Sequence, residues 1–388
     1  MKPRFLLFLA VCGFLVYLLV SQANVASIAL MDDFIAYWAA GRLQWTGQNP
    51  YSFELFSKLQ ESIGWQERPH VMLYPPWAFL LLVPLGIADY ASARLFWLLI
   101  NLVLLTLTSS LLWKLYDGPP KLLWVAWGLA FLFYPSLYLL RIGQMSLVVL
   151  FGLVAFLLLH QQRRYWWAGC VLFLATIKPH LAYLFWIGLI LWIVQQRHWK
   201  ILTGLVLMLV LATVIPMVLN PNLIVQASAV WKHAQTPVFE YDTPTLGTLL
   251  KKLFGAGERW ARFVPMSFAI AWSLWHWRNQ RWHWDWRREA PLLLGVSVWT
   301  CFYSWVNDLI LLLPALIQST ILLRRWPQRL RLIGVVCFCT LNFLCLAMNV
   351  LAAPDFAYVW LGPVMVIGHS LLRMHPAEAV MEADERAA

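Results

Sequence analysis

Hydrophobic runs recur along nearly the whole of this 388-residue chain, and that repetition limits the folds open to it. Hydrophobic residues make up 61% and charged residues 12%, whereas a soluble domain carries about 25% charged residues. Runs of this kind read as helices crossing a bilayer, because in lipid a helix satisfies its own backbone. The expectation is an all-α polytopic membrane protein, not a soluble core with an anchor. No long linker, internal repeat or low-complexity segment divides it, so residues 1–388 read as one domain.

The formal net charge of +11 raises the question of nucleic acid. The distribution argues against it, since Lys and Arg gather in short loops between apolar runs, as the positive-inside rule expects. Trp275, Trp277, Trp282, Trp284 and Trp286 fall between runs, where rings with a polar handle suit an interface. Cys12, Cys170, Cys301, Cys337, Cys339 and Cys345 all lie in apolar runs with no CxxC pair, supporting neither a disulfide framework nor zinc. Residues 1–23 have the outline of a secretory signal. The long apolar run from Phe5 reads instead as an uncleaved first span.

Runs beginning near residues 5, 95, 122, 145, 166, 181, 201, 262, 291, 309, 332 and 356 give about twelve spans. The segment Pro76–Ala88 would cover only about 20 Å as a helix and reads as partial or re-entrant. That reading puts Arg163/Arg164, Arg197/Lys200, the 278–288 arginines and the 324–331 arginines in the cytoplasm. The tail 374–388 is then cytoplasmic and the long loops 21–94 and 220–261 lie outside. The polar groups hardest to explain at span ends fall on that outer face: Asp32/Asp33, Tyr74-Pro75-Pro76, Arg141 with Gly143-Gln144, Lys178-Pro179-His180, Ser304 to Asp308, and Asp355. An outward-facing reaction chamber follows.

Acids beside a bilayer are costly unless they do something, which singles out Asp32 and Asp33. From Asp33, the residues Phe34, Tyr37, Trp38, Gly41 and Trp45 recur at helical spacing and predict an amphipathic helix along the membrane surface. Gly47-Gln48-Asn49-Pro50 ends it, and a second short helix is expected over Phe53–Ile63.

Asp33-Phe34, Tyr37-Trp38, Ala40-Gly41-Arg42 and Gly47-x-x-Pro50-Tyr51 resemble the opening signature of glycosyltransferase family 87. Tyr74-Pro75-Pro76, Gly143-Gln144, Lys178-Pro179 and Ser304-Trp305 follow in the same order, so the likeness runs over roughly residues 31–315. The resemblance implies a GT-C-type fold and an inverting enzyme that takes mannose from a polyprenyl-phosphate donor. It also implies an essential Asp at Asp33 and an important His in the Ser-Trp region. Here Asn307 and Asp308 stand where that His is expected, which leaves Asp308 as a substitute or a different sugar or acceptor.

Transfer from a lipid phosphate needs a base for the acceptor hydroxyl, cations for the leaving phosphate and a positioned anomeric carbon. Asp33 is the candidate base, the alternative being a helix N-cap, a role open to Asp32 as well. Asp308 is the second catalytic candidate, again against an N-cap. Lys178 and Arg141 are candidate phosphate ligands, the alternative for Lys178 being a snorkelling lysine. Arg42 and His180 join them as substrate-binding candidates, with lipid phosphates the competing partner for Arg42. Gln144 could hydrogen-bond a sugar hydroxyl or simply cap a span. Tyr74 could pack on a sugar or polyprenyl chain, while its two prolines shape backbone. Glu240, Asp242 and His233 read as surface groups. His276 and His283, amid arginines, read as an anionic-lipid contact.

There is no HExxH, P-loop or dinucleotide fingerprint, so no cofactor or metal is expected; the lipid-linked sugar is a substrate. Expected partners are a polyprenyl-phosphate sugar donor, a glycolipid or glycan acceptor and membrane lipids, in a bacterial-type inner membrane with an extracytoplasmic site. The rivals are a transporter or flippase of lipid-linked sugars, an O-antigen-ligase-like or aminoarabinose transferase, and a scaffold. A transporter would place repeats and broken, charged spans at the midplane; the ionisable groups here gather at span ends instead.

Overall fold

A computed structural model describes residues 32–65, 69–70, 72–233, 241–255 and 259–374, and these contain helices and no strand. The expected first span from residue 5, the side chains of Asp32 and His233, Glu240 and the tail beyond Met374 lie outside the described residues. In chain order the α-helices are α1 (Asp32–Trp45), α2 (Phe53–Ser62), α3 (Phe79–Ile87), α4 (Tyr90–Leu115), α5 (Leu123–Leu132), α6 (Tyr134–Ile142), α7 (Ser146–Gln161) and α8 (Tyr165–Leu172). They continue as α9 (Tyr183–Gln196), α10 (Trp199–Met217), α11 (Leu223–His233), α12 (Leu246–Phe254), α13 (Val264–Gln280), α14 (Trp286–Thr300), α15 (Leu313–Leu323), α16 (Gln328–Val350) and α17 (Leu361–Met374). Short 3₁₀ segments precede or extend several of them.

Six helical stretches are long and apolar enough to cross a membrane: Tyr90–Leu115, Pro179–Gln196, Trp199–Met217, Val306–Leu323, Gln328–Val350 and Asp355–Met374. A bent pair, Pro120–Leu132 with Tyr134–Ile142, makes a seventh if taken as one span. The protein is therefore multi-pass, with six or seven such spans among the described residues where the hydrophobic runs suggested about twelve. The runs from 145 and 166 become the shorter apolar helices Ser146–Gln161 and Tyr165–Ile177. At 1.5 Å per residue, even the longer of these covers about 24 Å, less than a hydrocarbon core. The runs from 262 and 291 become α13 and α14, of 17 and 15 residues. Pro76–Ile87 is a short apolar helix, as its length implied.

The chain divides into two compact units interleaved in sequence. The first takes residues 1–105, 138–178 and 200–236; the second takes 106–137, 179–199 and 237–388.

In the first unit α1 packs along α3 and against α2. It is not an amphipathic surface helix. Every residue from Phe34 to Gly41 is buried, as are Leu43 and Gln44, because Ile35, Ala36, Ala39 and Ala40 fill the face that a surface helix would leave polar. A helix apolar all round belongs inside. The crossing is tight. A Cβ on Gly41 would stand 2.1 Å from the Leu82 carbonyl oxygen, and one on Gly86 would stand 2.1 Å from the Arg42 nitrogen, so only glycine allows the two backbones this close. At the far end of α1, the buried Gln44 donates to the Pro216 carbonyl at 2.7 Å, tying it to the end of α10.

In the second unit α14 is central: it packs against α9, α13, α15 and α17. Polar pairs pin it, with Tyr183 and Thr300 hydroxyls 2.7 Å apart and Leu184 N–H donating to Ser297 Oγ at 3.1 Å. The tryptophans between runs split into two sets. Trp275 and Trp282 are exposed, as interface residues should be, but Trp277 and Trp286 are buried and share ring contacts with Trp284.

Candidate active site

Four of the sequence-selected residues, Asp33, Tyr74, Gln144 and Lys178, meet in the first unit, joined by Tyr37. Backbone geometry brings Gln144 there. Gly143 has φ +74°, the left-handed region that favours glycine, and this ends α6 in a turn before α7. The Trp97 indole N–H donates to the Gly143 carbonyl at 2.6 Å and fixes the turn. Tyr74 is placed likewise, its carbonyl accepting from the Tyr51 hydroxyl at 2.8 Å, just before Pro75 and Pro76 start the segment leading into α3.

Gln144 is 4% exposed and is the hub of the cluster. Its Nε2 donates to Asp33 Oδ2 at 2.8 Å. Its Oε1 accepts from Met145 N–H at 2.8 Å, from the Tyr74 hydroxyl at 2.9 Å and from the Tyr37 hydroxyl. The two hydroxyls are also 2.9 Å apart, and their rings meet edge-on with centroids 5.4 Å apart. Burial above all, then the neighbouring Tyr74 and the Asp33 carboxylate, push the Tyr37 hydroxyl well above its ordinary range, so it stays protonated as a donor.

Lys178 follows the 3₁₀ segment Phe173–Ile177 and is 6% exposed. Its ammonium donates to Ser146 Oγ, on the first residue of α7, at 3.1 Å and lies 6.0 Å from the centre of the Tyr74 ring, the outer limit of a cation–π contact. A lysine reaching for headgroups would keep its end in water. This one is enclosed, in the same network as the acid.

The remaining candidates are placed differently. Arg42 donates to the Gly86 and Ile87 carbonyls, both at 3.1 Å, and Trp38 donates to the Ala88 carbonyl at 3.0 Å. Together they satisfy carbonyls that the end of α3 leaves without helical partners. Arg141 is exposed in the last turn of α6, where a cation also meets the negative end of the helix dipole.

His180 and Asp308 belong to the second unit. His180 has its ring 5.5 Å from Phe302 and 5.8 Å from Tyr303. Asp308 is fully buried; its Oδ2 accepts from Trp305 N–H at 2.8 Å and its Oδ1 from the Asn307 amide at 3.0 Å. These bonds match the capping alternative that its position after Ser304-Trp305 already offered. Among the described residues no three His, Cys, Asp or Glu side chains gather as metal ligands would.

Three residues of consequence escaped the sequence. Tyr37 was visible in a motif and sits one helical turn after Asp33, the i,i+4 spacing that puts two side chains on one face. Ser146 had no signal beyond following Gln144. Arg262 is fully buried and donates to the Tyr241 and Phe302 carbonyls; it opened what read as an apolar run. His276 also departs from expectation, for it pairs with Glu289 at 2.8 Å.

The fold and cluster define a multi-pass, all-helical membrane protein with a half-buried acid held among an amide, two phenols and a lysine. The profile of glycosyltransferase family 87 matches residues 72–307, more than half of the chain. The chain belongs to that family, whose members are glycosyltransferases. The match takes in Tyr74, Arg141, Gln144, Lys178 and His180; Asp33 and Arg42 precede it, and Asp308 is the next residue after its end. The chain matches no curated protein and no solved structure.

Proposed function

We propose that this protein is a GT-C-type hexosyltransferase that moves a sugar, mannose in the first instance, from a polyprenyl-phosphate donor to a glycolipid or glycan acceptor. The reading places it in a plasma membrane with its site on the extracytoplasmic face. The observation that carries it is the joining of Asp33 and the enclosed Lys178 into one network through Gln144 and Tyr74, in a chain of this family.

In this reading the acceptor hydroxyl oxygen attacks the anomeric carbon while its proton passes to the Asp33 carboxylate. The bond from that carbon to the phosphate oxygen breaks, and its electron pair leaves with polyprenyl phosphate. Lys178 and Arg141 stabilise the charge gathering on that phosphate. A single displacement inverts the anomeric centre and forms no sugar–enzyme bond. His180 is assigned to its ring contacts with Phe302 and Tyr303, and Asp308 to holding the Trp305–Asp308 turn. Arg42 is assigned to the end of α3.

The test is transfer from radiolabelled polyprenyl-phosphate mannose to a membrane-lipid extract by purified protein in lipid. Wild type should yield a labelled glycolipid, and Asp33→Asn should lose at least about a hundredfold of the rate, the lower scale of general-base catalysis, while still binding donor. Near-normal turnover in Asp33→Asn removes Asp33 from the base role. No transfer from mannose, glucose or arabinose donors turns the reading toward a transporter or a ligase.

A further inference from the structure

Gln144 was a candidate sugar contact, but its bonds describe a different task. An amide has one accepting end and one donating end, and a backbone N–H can only donate. Met145 N–H therefore settles which end of Gln144 faces it: the oxygen, at 2.8 Å. The donors Tyr74 and Tyr37 crowd the same oxygen. The NH₂ end has no choice but to face Asp33, at 2.8 Å.

We propose that Gln144 is a positioning residue which aims the Asp33 carboxylate and keeps it ionised, acting on the reaction through Asp33 and not through contact with sugar. The inference rests on Asp33 being the base. A donor fixed on a carboxylate oxygen favours the charged form, and a neutral donor does so without neutralising the acid as a paired cation would. The two phenol oxygens lie 2.9 Å apart beside Gln144 Oε1, and since each carries one proton, each donates either to the amide or to the other hydroxyl. The titratable groups around Asp33 include Tyr37 on its own helix, Tyr74, Lys178 beyond the Tyr74 ring, and Asp32, its neighbour in sequence.

The experiment follows the Asp33 carboxylate directly, by infrared difference titration of purified protein in lipid. The band is assigned by its absence in Asp33→Asn. In Gln144→Leu the Asp33 titration should move up by about one pH unit, since one stabilising hydrogen bond to the charged form is lost. In Gln144→Glu, which keeps the shape and so guards against misfolding, it should move further, because two facing carboxylates resist double ionisation. Transfer assays on the same variants should show kcat falling about ten- to hundredfold, the acid limb of its pH profile moving with the band, and donor KM within about twofold.

An unmoved Asp33 band in both variants overturns the proposal, as does a raised KM with an unchanged acid limb, which is what a sugar contact gives. If Asp33→Asn turns over normally, the base reading itself fails and this inference with it. An inactive Asp33→Asn beside an unmoved band in the Gln144 variants overturns this inference alone.

Discussion

Asp33 in the first unit and Glu289 in the second are acids set among different partners. In the first unit Asp33 is met by the Gln144 amide, itself held by two phenols. In the second, Glu289 at the start of α14 is met by charge from Arg373 at 3.3 Å and Arg288 at 4.0 Å, and by the His276 ring nitrogen at 2.8 Å. Arg373 also donates to the Arg288 carbonyl at 2.8 Å. Burial alone raises a carboxyl, yet His276, Arg373 and Arg288 together hold Glu289 below the usual carboxylate range. An acid pinned by cations has little basicity left and ties helices α13, α14 and α17 together. Asp33 has among its partners the Gln144 amide, a donor that orients the carboxylate without adding a counter-charge. The difference separates a structural knot from a candidate base, although both are carboxylates in a chain poor in them.

The largest effect that would break this comparison lies in the second unit. Glu289→Gln leaves Arg373 without its counter-charge, and removal of one partner from a buried pair costs about 3–5 kcal/mol. Partial exposure of His276 and Arg373 puts the expectation at the lower figure, about 3 kcal/mol. Thermal unfolding in lipid or detergent measures it, and the transfer rate of the remaining folded protein should be unchanged. A variant of full stability but no transfer would give Glu289 the role assigned to Asp33.

The crossing of α1 and α3 is next in size. Gly86→Ala puts a methyl 2.1 Å from the Arg42 nitrogen and the Gly41 carbonyl carbon, where neither backbone can yield locally. Overpacking of this kind costs about 1–3 kcal/mol. Because α1 carries Asp33 and Tyr37, this variant should lose transfer as well as stability, whereas Glu289→Gln loses stability alone. Equal activity per folded molecule in both would show that the crossing does not position the site.

The cation-pinned acid also predicts a pH dependence. A carboxyl whose folded pKa lies below its unfolded value binds more protons when unfolded, so its contribution is present above about pH 4.5 and fades as pH falls through the lower folded value. Unfolding temperature should therefore drop below about pH 4.5 in wild type, with a shallower slope in Glu289→Gln. The same slope in both would detach Glu289 from acid sensitivity.

These expectations show which parts of the molecule could be read in advance. Apolar runs located the helices, but run length did not set span length: the run from 166 shortens into a 3₁₀ segment before Lys178, and α14 begins in polar residues. Selecting Phe34, Tyr37, Trp38, Gly41 and Trp45 made α1 look one-sided, since the small alanines on the other face carry little weight in a pattern yet are buried like the rest. Of the site, Asp33, Tyr74, Gln144 and Lys178 stood out as polar groups at the ends of apolar runs. What their bonds do was not legible, because the orientation of an amide depends on a backbone N–H and on hydroxyls from two distant segments. Arg42 looked like a phosphate ligand for the same reason: the carbonyls it serves lie more than forty residues away.

Arg42 is the smallest and sharpest test of the division between structural and chemical charge. Like Arg373, it spends its donors on backbone carbonyls, here at a helix end where a cation is also favoured by the dipole. Arg42→Gln keeps the aliphatic stem in part and one donor group, so its cost should be about 1 kcal/mol, the net worth of a typical hydrogen bond. Donor affinity, read as KM for the polyprenyl-phosphate sugar, should stay within about twofold of wild type, the scatter of an indirect effect well below one lost charge-assisted contact. Lys178→Ala should instead raise that KM about tenfold or more, the loss of one charge-assisted bond to phosphate. If the two variants weaken donor binding alike, Arg42 leaves the carbonyls of α3 when substrate arrives, and the first unit uses at least one arginine for chemistry where the second, in the Glu289 knot, uses its own to hold helices together.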